Sequence, residues 1–497
     1  TILNGTENFE FTIILYDDQG SMIDSISSDV GPGLSSGVVN LSSEGWNPAP
    51  GYSTLTLRVI DSRGIEVTST SQIFDVRRND WNVGLVGLQI SGTGDGQEIS
   101  ILTKRSNQQI LDDSICDKIN KSSANRKLIK EDTGLTLDTY FPAPKLVELL
   151  ASNKKLKQKL KNGSALFGTI DTYLIYRLTK QKSYTTDTTN ASRTLFFNNK
   201  SLRWSKKLLK LFGLQFKSLP EVKESSSIFG YTNLNQIFKT SIPISGVIGD
   251  SQASIFANQC FNKGNTKITL GTGASILTNI GKQFTSKKNI ITTLSYVYKN
   301  KPSYSYECLI NYAGATVSWL NSNLEIIKKP EETNAIFAKT KNSNGVIFIP
   351  AFVGLSSPHW LPTCKGMIYG LTPSVNKNHI IRSALESVAF QIKDYVDDLE
   401  KNKKIVCNDV CVDGGIVSNT FFMQFLANTL KRKIYVTDFK DMSSYGSLLM
   451  GLLGMKIKKN FKDISKYKQK YSTYLPNKNK FPDSYNEWKE VLKNFYL

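Results

Sequence analysis

Histidine is nearly absent, with only His359 and His379 among 497 residues, and the six cysteines (Cys116, Cys260, Cys308, Cys364, Cys407, Cys411) include no CxxC pair. Little is left from which to build a Cys/His zinc site or a disulfide framework. A reducing, cytoplasmic setting is therefore the expectation, with Cys407 and Cys411 read as core thiols, His359 as a loop residue and His379 as a near-cap residue. Long apolar runs are also missing. The longest, "YGSLLMGLLGM" at 445–455, falls short of the roughly 20 residues a spanning helix needs, so no membrane insertion is expected. The opening stretch "TILNGTENFEF" shows no basic region followed by an apolar core, so no secretory leader is expected. Neither GxxxxGK[ST] nor GxGxxG occurs, which excludes a P-loop or a dinucleotide fingerprint as written.

Lysine is missing from the first hundred residues, where four arginines face thirteen acidic residues, although the whole chain carries a net charge of +20. Such a step marks a boundary between segments. Residues 1–84 read as short strands and turns without helical period, which fits a small β-sandwich or a strand-rich edge. The positive charge raises nucleic acid as a partner. It is diluted along runs such as "NKKLKQKLKNG" (153–163), without interleaved aromatics. We expect a solvated face there and no nucleic-acid partner.

Beyond residue 85 strands and helices alternate, which is an α/β pattern. "VGLVGLQIS", "TKITLGTGASILTNI" and "GVIFIPAF" read as buried strands. In "HIIRSALESVAFQIKDYVDDLE" the residues Ile381, Leu385, Val388, Ile392, Tyr395 and Leu399 recur at spacings of four and three, as one face of a helix requires. Three glycine clusters follow strand-like runs: "SGTGDG" (91–96), "LGTGAS" (270–275) and "VDGGIVSN" (412–419). Glycine at a strand exit lets the backbone approach a ligand and turn N–H groups toward phosphate oxygens. Each could equally be a tight connection. In "ISGVIGDSQASIFANQ" (244–259), Asp250 sits between a glycine and a serine; taken alone it is either a loop cap or a base.

The ordered blocks "GTIDTYLIYRLT", "YTTDTTNASRTLFFN", "LPEVKESSSIFGYT", "IPISGVIGDSQASIF", "KITLGTGAS", "VIFIPAFVGL", "GMIYGLT" and "VDGGIVSNTFFMQF" resemble the FGGY carbohydrate kinases, and most closely the branch that phosphorylates glycerol. The resemblance spans roughly residues 85–455. It implies two actin-like, ribonuclease H-like ATPase domains with a cleft between them, here at 85–255 (substrate side) and 256–497 (nucleotide side), preceded by an atypical β-rich segment at 1–84. It also implies transfer of a phosphoryl group from ATP, with Mg²⁺, to a terminal hydroxyl of glycerol or a related polyol, and it is compatible with a homo-oligomer. By resemblance the catalytic aspartate is Asp250. The substrate residues are Gln97, Glu98, Tyr140, Asp250 and Ser251, and the nucleotide positions are Thr272, Gly314, Ser318, Gly415 and Asn419. No protein metal ligand is assigned.

Several positions depart from the family pattern. Ser251 stands where glutamine usually follows the aspartate, with Gln252 one place on. Ser275 takes the place of an aromatic, Ser318 that of a glutamine, and Gln97 that of an arginine, whose guanidinium fork it lacks. The phosphate hairpin is matched in part by Asp18, Gln19 and Gly20 and in part by Thr54, Thr56 and Arg58, which cannot both form it. A kinase for another polyol or sugar, and a non-catalytic nucleotide-binding descendant, therefore stand as alternatives.

Overall fold

The computed structural model describes backbone for the strands and first helix up to residue 120, and side chains for Cys116 and residues 118–497 apart from positions 235, 288, 362, 402–404, 438 and 478–481. Gln97, Glu98, the "SGTGDG" turn and residues 17–21 lie outside the described residues, as do the side chains of Thr54, Thr56 and Arg58. The chain divides into two compact units, Thr1–Gly84 and Leu85–Leu497.

In the first unit the β-branched, alternating segments form one antiparallel sheet in the order Met22–Val30, Phe9–Tyr16, Gly51–Asp61, Glu66–Val76. The register sets Ile13 between Ile26 and Val59. A short antiparallel pair joins Ile2–Asn4 with Gly33–Ser35.

The second unit is α/β, built on a seven-stranded sheet in the order Ile291–Tyr298, Lys301–Ile310, Ala274–Gly281, Thr266–Leu270, Val410–Asp413, Ile434–Thr437, Tyr471–Tyr474. Its adjacent strands Thr266–Leu270, Val410–Asp413 and Ile434–Thr437, fourth to sixth in that order, run parallel, and antiparallel neighbours flank them. "GVIFIPAF" supplies a buried strand, Ile347–Ile349, which pairs with Met367–Tyr369 outside this sheet.

The side-chain period of two divides the sheet into two unlike faces. Ile268, Leu270, Ile276, Val410 and Val412 join the core made by the helix Lys377–Glu400, whose Ile381, Leu385, Val388, Ile392, Tyr395 and Leu399 are all buried as their spacing predicts. Asn376 and His379 close a capping box at the start of that helix. His359 Nε2 lies 3.0 Å from Asp394 on the same helix, and the C-terminal Tyr485 and Trp488 donate to that carboxylate at 2.8 and 2.9 Å. On the opposite face, cross-strand pairing lines up Lys267, Thr269, Ser275, Leu277, Glu307, Leu309, Cys411 and Asp413. Helix Asp250–Ala257 packs there, with Ile255 against Cys260, Leu277 and Cys411. The lysines of Lys154–Asn162 are exposed while Leu160 is buried, so that run is a solvated helix face.

Candidate active site

Asp250 is the first residue of its helix, following Gly249, and it is exposed. A carboxylate in the first turn is favoured by the helix dipole. Its Oδ1 accepts the Ser251 N–H at 2.6 Å. Helix Met442–Gly454 lies directly on this segment, because Gly446 has no side chain: a Cβ there would come 1.9 Å from the Ala253 carbonyl oxygen.

A buried carboxylate stands behind the turn. Asp187 accepts from the backbone N–H groups of Thr189 and Asn190, from the Thr189 hydroxyl and from Ser225. Thr189 Oγ1 in turn accepts the Gly249 N–H at 2.8 Å, so the residue before Asp250 is held through one hydroxyl by Asp187. Burial raises the Asp187 pKa. It raises Asp171 to about 6, with the nearby charge of Asp187 adding to the effect.

Tyr140 precedes helix Pro142–Ser152 and is half exposed, its N–H bonded to Asp138 at 2.7 Å. Its ring meets Phe141 edge-on, with centroids 5.2 Å apart. Loss of hydration raises the pKa of its phenol, which also feels the charges of Arg193, Glu307 and Asp250. Ser251 is half-buried, whereas Gln252 is turned inward and donates to Thr293 Oγ1 at 3.3 Å. Ser275 carries a buried hydroxyl with no hydrogen-bond partner.

The glycine turn 271–273 joins two antiparallel strands, and its carbonyls satisfy the start of helix Gly314–Ser322. Gly271 O accepts from Gly314 N–H, and Thr272 O accepts from the N–H groups of Ala313 and Ala315, at 2.8–2.9 Å. Ser318, one turn along, bonds back to the Gly314 carbonyl at 3.3 Å. Gly414 takes φ +105°, where a Cβ would meet the Leu270 carbonyl oxygen at 2.4 Å; Gly415 beside it faces open space. Asn419 is buried and engaged at both ends: Oδ1 caps Phe422 N–H at 2.9 Å and Nδ2 reaches Thr333.

Two connections join these parts. Ser254, one turn beyond Asp250, donates to Asp413 at 3.0 Å, and Asp413 pairs with the buried Lys267 immediately before the Gly414–Gly415 turn. Arg193 pairs through both terminal nitrogens with the buried Glu307 and also reaches Thr293, the partner of Gln252. Sequence reasoning passed over Arg193 and Glu307. Arg193 lies within the block "TNASRTL", but nothing local to Glu307 points to it.

Residues 108–257 match the family model of the FGGY carbohydrate kinase N-terminal domain, and residues 266–455 match that of the C-terminal domain. The chain belongs to the FGGY family of carbohydrate kinases. Curated relatives in this family include a glycerol kinase of Psychromonas ingrahamii, 35% identical over 383 residues that make up 76% of each chain. A glycerol kinase of Fusobacterium nucleatum is 38% identical over 358 residues, 72% of this chain and 71% of that one. Among solved structures, Plasmodium falciparum glycerol kinase with ADP aligns with a TM-score of 0.74 at 28% identity, covering 89% of this chain and 96% of the other. Gluconate kinase from Lactobacillus acidophilus, at 18% identity and a TM-score of 0.69 over 89% and 94% of the two chains, shares the fold. The fold is the two-domain, actin-like FGGY arrangement. A carbohydrate kinase family implies ATP as phosphoryl donor. Among the described residues no helix is long and apolar enough to cross a membrane.

Proposed function

We propose that the chain phosphorylates glycerol, moving the γ-phosphoryl group of ATP to a terminal hydroxyl to give sn-glycerol 3-phosphate, with Asp250 as the general base. The observation that carries this reading is the shared helix: Asp250 opens it, and Ser254 one turn later bonds the Asp413 that leads into the Gly414–Gly415 turn. The base and the nucleotide-side turn are thus tied to one rigid element. The glycerol kinase names of the relatives add the acceptor.

A glycerol hydroxyl is a poor nucleophile at neutral pH, and a carboxylate within hydrogen-bond reach orients it and accepts its proton. Asp250 is exposed and held from behind by the Asp187–Thr189–Gly249 relay. Tyr140 and Ser251 flank it as acceptor contacts, with Gln97 and Glu98 proposed from the sequence alone. On the nucleotide side Gly415, Gly314 and Thr272 offer backbone without bulky side chains, and Ser318 a hydroxyl; Asn419 shapes that side as a helix cap. We assign 85–255 to the acceptor side and 256–497 to the nucleotide side.

Mg²⁺ would offset the charge of the transferring phosphates. Among the described residues no cluster of three or more His, Cys, Asp or Glu could hold it.

The test is ADP release by the purified chain in Mg²⁺ with glycerol, with a panel of other polyols and sugars, and with no acceptor. Glycerol-dependent release supports the proposal. Release with another acceptor instead would favour the second reading, for which the partnerless hydroxyl of Ser275 and the short Ser251 leave polar room. Nucleotide binding with no turnover on any acceptor would favour a non-catalytic descendant.

A further inference from the structure

The ion pair Arg193–Glu307 calls for an explanation that stability does not supply. Burying two charges costs more than their attraction returns unless the geometry is good and the remaining donors are satisfied. Here Glu307 is 3% exposed in a strand of the central sheet, directly across from Ile291 and Leu277. Its carboxylate takes both terminal nitrogens of Arg193, a fork that fixes the guanidinium plane as well as its position. The two residues are 114 positions apart and come from the two different family-domain matches.

The guanidinium held this way meets Phe141 and Thr293 beside the proposed acceptor residues. It lies over the Phe141 ring, 5.3 Å from the centroid, and that ring is in edge contact with Tyr140. One of its nitrogens lies 3.4 Å from Thr293 Oγ1, which also accepts from Gln252, two residues after Asp250. The charge of Arg193 acts on the Tyr140 phenol, and both groups feel the charge of Asp250. Arg193 thus links the Tyr140–Phe141 pair, the Gln252 that follows Asp250 and the sheet.

We propose that Arg193, locked in plane by Glu307, is a positioning residue for the acceptor: it aims the Tyr140 hydroxyl across the space in front of Asp250 and so seats a polyol with its terminal hydroxyl toward that carboxylate. The inference rests on the acceptor reading given above. It assigns to Arg193 and Glu307 the fork-shaped orienting function for which Gln97 lacks the group.

The experiment measures KM for glycerol, KM for ATP and kcat in the wild type, Arg193→Gln, Arg193→Lys, Glu307→Gln, Tyr140→Phe and the double variant Arg193→Gln/Tyr140→Phe. Equilibrium glycerol binding without nucleotide and thermal unfolding are measured alongside. Loss of a charged hydrogen bond in the site should raise KM for glycerol in Arg193→Gln by about 10- to 100-fold, while KM for ATP moves less than about twofold. Arg193→Lys should rescue little, because an ammonium cannot copy a planar fork. The double variant should be no worse for glycerol than the weaker single variant, since both act through one hydroxyl.

An unchanged KM for glycerol in Arg193→Gln would overturn the proposal. So would glycerol and ATP constants that shift together with the unfolding midpoint, or effects that add in the double variant. If Arg193→Gln does not fold, Glu307→Gln with Tyr140→Phe decides by the same non-additivity. If the wild type binds glycerol but transfers no phosphoryl group, the functional reading fails, and the positioning proposal is judged on glycerol affinity alone. If the wild type binds no polyol at all, both fail.

Discussion

The two faces of the seven-stranded sheet come from the same strands and do opposite work. One face is almost wholly apolar: Ile268, Leu270, Ile276, Val410 and Val412 meet the long helix Lys377–Glu400. The other places Lys267, Asp413 and Glu307 among Leu277 and Cys411, and faces the helix that begins at Asp250. Strand segments such as "TKITL" and "VCVD" alternate between the two roles residue by residue. The comparison teaches that substitutions one position apart in a single strand should fail in different ways, the first by loss of packing and the second by loss of chemistry.

The largest effect expected is on the polar face. Asp250→Asn keeps the shape but removes the proposed proton acceptor, and kcat should fall by about 10²- to 10⁴-fold with KM for ATP little changed. Steady-state ADP release measures both, and a kcat within threefold of wild type would remove Asp250 from the role of base. On the apolar face Leu385→Ala should lose about 2–5 kcal/mol of stability through the cavity it leaves, read from denaturant midpoints, while the KM values of the folded fraction stay put. If KM for glycerol rose instead, the division between the faces would be wrong.

A third test uses pH. The folded pKa of Asp171, about 6, lies above its ordinary 3.8. Between pH 4 and 6 the unfolded chain therefore has lost a proton that the folded chain still holds, and Asp171 makes stability fall as pH rises through that window. Asp171→Asn should flatten this slope, gaining up to about 3 kcal/mol at pH 7 relative to wild type. Melting curves from pH 4 to 7 decide it; a parallel pH profile in the two proteins would speak against the shift. The smallest effect expected is that of Thr189→Val, which cuts the relay from Asp187 to Gly249. It should cost about 1–3 kcal/mol and lower kcat more than either KM, since it moves the base and not the contacts.

Legibility differed among the residues of the proposed site. The glycine turns proposed for the nucleotide side were legible in local pattern, because glycine is needed where the chain turns: Gly414 at φ +105° and Gly314 against the Gly271 carbonyl are both marks of backbone crowding. Tyr140 and Asp250 were proposed by resemblance, and the charge of Asp250 acts on the Tyr140 phenol. Asn419 was read as a nucleotide contact, and the structure gives its side chain a capping role, the commonest use of asparagine before a helix. Arg193 and Glu307 escaped, because an ion pair between residues far apart in the chain leaves no local periodicity to read.

The sequence by itself determined the α/β class, the buried stripe of the long helix and the glycine turns, all of which follow from side-chain period and backbone sterics over a few residues. The charge balance changes near residue 100, and by its contacts the chain divides into units at Gly84. Only the tertiary structure decided which of many charged residues face one another: Glu307 meets Arg193, Lys267 meets Asp413, and Asp187 reaches Gly249 through a single threonine. Local periodicity acts over one or two turns. The pairing of buried charges depends on strand register and helix docking, which the whole core sets together.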